Sequence, residues 1–226
     1  MPPFQTTGVY TYRVLALNNG TQVSVDGGAP QNLGAGQIIE VNNEINPKQI
    51  TSNQAIQVIQ LMQGDNCSQN GDLAMLILNP NDQKFANVTF STVSSNVITN
   101  HYLNIVVESS NVGTVLLDNT PIPGGNFVPF PTNPLNSYAQ IPVTQGSHNL
   151  YASNGFTGYL YGMGTAESYA YSLGSYKEEL IIPVDSVLCT STAVTLTPPV
   201  SLFTPEWYAM SDSTTILSTT NALAIS

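Results

Sequence analysis

The chain has 226 residues, of which 42% are hydrophobic and 8% are charged, and its formal net charge is −10. This length and apolar content allow a real hydrophobic core and exclude a disordered protein. Four Lys and Arg residues in all cannot form the basic surface that binds nucleic acid or an anionic membrane, so neither partner is expected.

Alternating apolar and polar residues predict strands throughout the first half of the chain. The predicted strands cover residues 10–17, 21–25, 37–41, 56–62, 73–78 and 87–93. Asn19 and Gly20 predict a tight hairpin between the first two strands, because both residues tolerate a positive φ. A short helical turn is considered for residues 46–52.

The second half repeats this order of strands and turns. Its predicted strands cover residues 103–108, 114–117, 127–130, 139–143, 146–152 and 158–162. One copy opens at Tyr12 and its second strand ends in Asp26; the other opens at Tyr102 and its second strand ends in Asp118. A period of roughly 90 residues suits a small β-domain or half of a larger sandwich. We therefore expect an all-β fold, an antiparallel β-sandwich built from two similar tandem units, residues 1–98 and 99–174.

The composition changes after Gly174. Residues 175–185 are predicted to be a linker. Residues 186–226 contain a Cys, an alternating strand and Trp207, and they resemble the front half of an immunoglobulin-like or PKD-like module. Because such a module needs about 80–100 residues, we expect the natural protein to continue beyond Ser226. The alternative is that this tail adds strands to the main domain.

The chain has two cysteines, Cys67 and Cys189. Neither lies in a CxxC motif or near His101 or His148, so the sequence gives almost no support for a zinc site. The two thiols are either unrelated or joined by one long-range disulfide. We expect them not to be joined, because they are assigned to different modules.

Several segments together resemble the N-terminal domain family of the IgGFc-binding protein. These segments are residues 12–16 with the following Asn-rich hairpin, 71–76, 90–92 and 158–171. The resemblance spans residues 10–174 and implies a module of animal mucus proteins or of large bacterial surface proteins. In the bacterial proteins immunoglobulin-like modules often follow, which fits the tail. The family implies no enzymatic mechanism, and IgG binding itself belongs to the animal protein.

The candidate ligand-binding residues lie near the end of the second unit and are Tyr159, Tyr161, Glu167, Ser168, Tyr169 and Tyr171. One hypothesis is a surface turn at residues 167–169 beside four tyrosines that stack on a sugar or a protein, since a tyrosine offers an apolar face with a polar tip. The favoured alternative is a strand whose tyrosines pack internally. Strand alternation then places the first two tyrosines on one face and the last two on another.

Other functional sites draw less support from the sequence. Three aspartates could offer calcium its oxygen ligands, but solvated turns are favoured for Asp65, Asp72 and Asp82. No catalytic motif surrounds the histidines, and sequence spacing cannot show whether Glu108 and Glu167 form a glycosidase pair. We expect no enzyme, metal or cofactor. The N-glycosylation pattern, for which chance matches are expected, occurs at residues 19–21, 66–68 and 87–89.

The polar surface must consist of Asn, Gln, Ser and Thr, which favours an extracellular or cell-surface location. The start at residues 1–4 lacks a signal-peptide pattern, which favours an internal fragment of a secreted protein over a cytoplasmic protein. We expect a non-catalytic module that is adhesive or structural and binds glycan or protein ligands. The alternatives are a purely structural fibre segment and an accessory carbohydrate-binding domain of a secreted hydrolase. The chain has few charged residues that would prevent strand edges from pairing with another chain. We therefore expect self-association through strand edges, centred on residues 193–226.

Overall fold

The structure, a computed structural model, describes residues 1–4, 9–63, 71–174, 194–196, 207–209, 212–219 and 223–225. Strands make up 61% and helices 5%, which confirms the all-β class. The chain divides into two compact units, Met1–Tyr176 and Lys177–Ser226. No helix in the described residues is long and apolar enough to cross a membrane.

The first half of the larger unit forms two antiparallel sheets. Its strands are β1 (Tyr10–Ala16), β2 (Thr21–Val25), β3 (Gln31–Leu33), β4 (Ile38–Glu44), β5 (Ile50–Ser52), β6 (Ile56–Met62) and β7 (Met75–Leu78). The four-stranded sheet has the order β4-β1-β6-β7, and a three-stranded sheet has the order β3-β2-β5. Because side chains alternate along a strand, Tyr10, Tyr12 and Val14 of β1 point to one buried face while Arg13 points to the other, exposed face.

The second half, together with one strand that precedes it, forms an eight-stranded antiparallel sheet. Its strands are β8 (Phe85–Ser91), β9 (Ile98–Glu108), β10 (Leu116–Leu117), β11 (Thr120–Pro121), β12 (Phe127–Phe130), β13 (Asn133–Val143), β14 (Ser147–Gly164) and β15 (Glu167–Ser172). The main order is β11-β10-β14-β9-β13-β12, with β8 and β15 also paired to β14. Two 3₁₀ helices, Ser109–Thr114 and Gly124–Asn126, connect these strands.

The strand pairing of the first half recurs in the second. Strand β1 pairs with β4 and β6, as β9 pairs with β13 and β14. Strand β2 pairs with β3 and β5, as β10 pairs with β11 and β14. Strand β6 pairs with β7, as β14 pairs with β15. The long β14 thus takes the places of both β5 and β6, and the fold class of two similar tandem units is confirmed.

Some local expectations differ from the structure. Residues 50–52 form β5 and the residues before them contain no helix, so the helical turn considered there is wrong. Residues 167–169 lie in β15 and not in a turn; the turn is at Thr165 and Ala166, where Ala166 has a φ of 54°. Strand β8 lies within residues 1–98 but pairs with β14. The boundaries at residues 98, 174 and 185 stay predictions.

Two hydrophobic cores stabilise the larger unit, and β14 contributes to both. The first core lies between the four-stranded sheet and β9 and β14; it contains Phe4, Tyr10, Tyr12, Val14, Val23, Ile39, Met62, Ala74, Leu76, Tyr159, Tyr161 and Met163. The second core is formed by strands of the eight-stranded sheet and includes Phe90, Leu103, Ile105, Val107, Val115, Leu150, Phe156 and Leu160. Residues 155–164 of β14 are therefore buried without interruption, as expected for a strand covered on both faces.

The described strands of the smaller unit are β16 (Val194–Leu196), β17 (Trp207–Ala209), β18 (Asp212–Ser218) and β19 (Leu223–Ile225). Strand β16 pairs with β19, and β17 pairs with β18. The immunoglobulin-like assignment of residues 186–226 is not confirmed by these pairs and stays a prediction.

Candidate functional site

The sequence-predicted tyrosines of β14 are buried. Tyr159 is 3% exposed and Tyr161 is 0% exposed, and both belong to the first core. The hydroxyl of Tyr161 donates to Oδ1 of Asn104 at 3.3 Å. These two rings lie inside the protein and present no face on which a ligand could stack.

The other candidate residues lie on β15. Tyr169 and Tyr171 are half-buried and pack against the second core, so they face away from the first pair, as the alternation predicts. Their ring centroids are 6.0 Å apart, and the Tyr169 hydroxyl lies 2.9 Å from Nδ1 of His101. Glu167 is exposed, and Ser168 accepts a hydrogen bond from the Asp72 backbone N–H. The six candidates therefore do not form one surface, and a ligand role for the β15 residues stays a prediction.

A cleft of about 430 Å³ lies elsewhere, where the two halves of the larger unit meet. Its volume falls within the range of about 300–1,000 Å³ typical of ligand pockets. The floor is apolar and comes from β5, β6, β7, β9 and β12, through Ile50, Ile56, Val58, Leu78, Val106 and Phe130. Val106 and Phe130 are buried, while the others are partly accessible. The floor can therefore receive an aliphatic group.

The rim of this cleft is polar and rich in amides. It includes Lys48, Gln49, Thr51, Asn79, Asn81, Asp82, Asn133 and Asn136. In the part of the chain that the structure describes, the side chains of Asn81, Asn133 and Asn136 make no hydrogen bond to the protein. Each amide carries both a donor and an acceptor, so the rim can match the N–H and C=O groups of another polypeptide.

One sequence-predicted residue holds part of the rim in place. The Tyr159 hydroxyl donates to the backbone oxygen of Asn79 and accepts from its backbone N–H, both at 3.2 Å. The Asn79 side-chain amide donates to Ser172 Oγ at 2.8 Å and to the Gly174 oxygen. A turn closed by the Gln83 N–H and the Pro80 oxygen follows. Tyr159 thus positions the rim from beneath and does not meet the cleft itself.

Lys48 beside the cleft is paired with two carboxylates. Lys48 Nζ lies 3.0 Å from Asp26 and 3.1 Å from Glu44. Burial alone would lower the pKa of Lys48, but the two carboxylates outweigh burial and raise it. Burial alone would raise the pKa of Asp26, but hydrogen bonds from the Gln49 N–H and Lys48 outweigh it and lower the pKa. These two carboxylates outnumber Lys48, and Asp82 adds a further carboxylate to the rim.

The Asp26 arrangement recurs in the second half at Asp118. Both aspartates end the second strand of their unit with positive φ, 53° and 52°, which short polar side chains tolerate better than most. Asp118 accepts from the Asn149 N–H at 2.8 Å and lies 2.7 Å from His148 Nδ1, as Asp26 accepts from the Gln49 N–H at 2.9 Å. The same carboxylate thus ties the second strand to a later strand in both halves.

Neither histidine presents an accessible, unpaired nitrogen: His101 Nε2 has no hydrogen-bond partner among the described residues but is buried, and both nitrogens of His148 have partners. His101 is 4% exposed, and burial lowers its pKa, with a smaller contribution from His148. His148 Nδ1 faces Asp118 and its Nε2 lies 2.8 Å from the Thr144 oxygen. Both partners of His148 are acceptors, so they suit the doubly protonated ring. Burial acts to lower the pKa of His148, but these hydrogen bonds outweigh it and raise the pKa.

Several sequence-based predictions fall on residues that the structure does not describe. Within the described residues, no group of three or more His, Cys, Asp or Glu side chains could hold a metal ion. Asp65, Cys67 and Cys189 lie outside the described residues, and so does the predicted linker at 175–185. The cysteine prediction therefore stays a prediction.

Sequence reasoning missed the cleft, although one signal pointed to its rim. Asn79 and Asn133 each precede a proline, and Asn-Pro pairs mark turns. These turn asparagines come from distant parts of the chain and meet at one cleft.

Comparison with known proteins gives one family. A family model described as IgGFc binding protein matches residues 1–162. No curated protein matches the chain, and no solved structure matches it.

Proposed function

The chain belongs to the IgGFc binding protein family, and we propose that it is a non-catalytic adhesive module that holds a protein ligand in the cleft between its two halves. The family indicates an extracellular binding module. The observation that carries the proposal is the pairing of an apolar floor with three amide side chains that make no hydrogen bond within the described protein. We also propose that the chain is part of a larger protein at a cell surface.

The chemistry of the cleft supports a peptide ligand. An apolar side chain of the ligand would contact Val58, Leu78 and Phe130, while its backbone would meet the rim amides. Burying one Leu- or Val-sized side chain contributes about 1.5–3 kcal/mol, and each satisfied neutral hydrogen bond adds about 0.5–1.5 kcal/mol. A short segment would thus bind weakly.

Glycan ligands draw less support. Sugars are held well by exposed aromatic faces, and the aromatic ring that lines this cleft, Phe130, is 5% exposed. Tyr159 and Tyr161 are buried. A protein ligand is therefore the reading that we favour over both the glycan ligand and the accessory carbohydrate-binding domain.

The test is selection of a displayed random peptide library on the full chain, followed by calorimetric titration of the selected peptides. We expect peptides with an aliphatic residue, and at least tenfold weaker binding to Asn133→Ala combined with Asn136→Ala. The matched control is Asn32→Ala, an exposed asparagine on β3 outside the cleft, which should leave the affinity unchanged. Selection of no peptide, or equal binding by both variants, would remove the cleft from the proposal.

A further inference from the structure

The four-stranded sheet has a second face that is largely apolar and partly exposed. We call it the outer face; its apolar side chains are Leu15, Ile38, Ile59, Leu61, Met75 and Ile77. They form cross-strand pairs, with Leu15 opposite Ile38, Ile59 opposite Ile77, and Leu61 opposite Met75. Ile38 and Met75 are 55% exposed and Ile77 is 50% exposed. Thr11, Arg13, Gln57 and Glu40 share this face. Exposed apolar side chains grouped on one sheet face mark interaction sites.

The second half contains an equivalent sheet face that is in contact with another sheet. In the second half, the equivalent face of β9 and β14 presents Tyr102, Asn104, Tyr159, Tyr161 and Met163. That face is buried in the first core against the four-stranded sheet. Of two equivalent sheet faces in one molecule, one is therefore packed on another sheet and one is left exposed.

The charges of the outer face are self-complementary. Arg13 and Glu40 lie opposite each other on β1 and β4, and Arg13 Nε donates to Glu40 Oε2. Their side chains are 45% and 40% exposed. A two-fold axis near this pair would bring Arg13 of each copy to Glu40 of the other. Isologous dimers require such a match.

We propose that the outer face of the four-stranded sheet is a docking surface for a second copy of this chain, packed face to face about a two-fold axis. The apolar rows of the two copies cover each other, and the Arg13–Glu40 pairs of the two copies join into one group of four charges. A chain with 8% charged residues places few other charges where they would oppose this contact.

The size of the face indicates a weak dimer. Three strands of seven residues and one of four, about 4.8 Å apart and at about 3.3 Å per residue, cover roughly 400 Å² per copy. The total of roughly 800 Å² lies below the size of standard specific interfaces. We therefore expect weak association, with fast exchange between monomer and dimer.

The experiment is sedimentation velocity of the full chain from about 5 to 500 µM. The expected result is a concentration-dependent shift from 24.1 kDa to twice that mass. Ile77→Glu should weaken the dimer at least tenfold. The matched control is Leu135→Glu on β13, because Leu135 is 77% exposed and lies off the outer face. Both positions are solvent-exposed, so both variants should fold.

A charge swap tests the two-fold arrangement. Arg13→Glu should weaken the dimer because glutamates then face each other across the axis, and Arg13→Glu combined with Glu40→Arg should restore it. A strict monomer at 500 µM would overturn the proposal. Oligomers that grow beyond two copies, or a dimer that Ile77→Glu leaves intact, would also overturn it, and the latter would favour contact through strand edges.

Discussion

Replacement of Tyr161 decides whether the tyrosines of β14 serve the core or a ligand. The ring is 0% exposed, stacks on Tyr102 with centroids 5.5 Å apart, and meets Phe4 edge-on at 4.9 Å. Its hydroxyl donates to Asn104, whose own amide donates to the Pro3 oxygen at 3.0 Å. A core role predicts that substitution lowers stability without a separate effect on binding by the folded protein.

The expected losses follow from these contacts. Tyr161→Phe leaves the buried oxygen of Asn104 without this donor; since the 3.3 Å bond is long, we expect a cost of about 1 kcal/mol, the low end for an unsatisfied buried group. Tyr161→Ala removes the ring, and such core truncations cost about 3–5 kcal/mol. At roughly 2–4 °C per kcal/mol for a unit of this size, Tm should fall by about 3 °C and about 12 °C.

Differential scanning calorimetry of the full chain measures both variants. The control is Tyr151→Phe, because Tyr151 is 38% exposed and its hydroxyl makes no hydrogen bond in the described part of the chain; its Tm should change by less than about 1 °C. An unchanged Tm for Tyr161→Ala, together with a loss of peptide affinity, would refute the core role.

Two further outcomes are expected. The contribution of His148 to stability should fall as pH rises through its folded-state pKa: because that pKa is raised, this contribution is complete below the ordinary histidine pKa of about 6.5 and is lost above the raised value. Asp118→Asn should flatten this dependence in urea unfolding between pH 6 and 9, and an equally steep dependence would contradict the assignment. Gly164→Ala should unfold the protein or cost at least about 3 kcal/mol, because a Cβ there would lie 1.6 Å from the Val97 backbone oxygen. Gly113→Ala, with open space around its Cβ, is the control in thermal unfolding, and equal Tm values for the two variants would contradict the steric argument.

The tandem architecture could be predicted because both halves end their second strand in an aspartate. The alignment of Tyr12 with Tyr102, by contrast, is off by one position. Tyr12 points from its sheet toward β2 and Val23, whereas Tyr102 points away from the interior of its own half; Leu103 takes the inward position. A strand alternates at every residue, so sequence similarity alone does not reveal such an offset.

The cleft could not be predicted, because its walls come from segments far apart in sequence. Val58, Leu78, Val106 and Phe130 meet only after the two halves pack. Each has an apolar side chain of the kind found in protein cores. The sequence does not distinguish an apolar residue inside a core from one that lines a cleft. The burial of Tyr159 and Tyr161 likewise depends on the sheet that covers them, which lies about 100 residues earlier in the chain.

Strand β8 has a consequence for how such a module can evolve. It lies in the first half of the sequence, yet Phe90 from this strand closes the second core beside Leu150. A genetic deletion of residues 1–98 would take β8 away and open that core. A deletion of residues 99–174 would remove Tyr161 and Met163 from the first core. The two units can therefore be inherited only as a pair, because a single unit would have an uncovered interior.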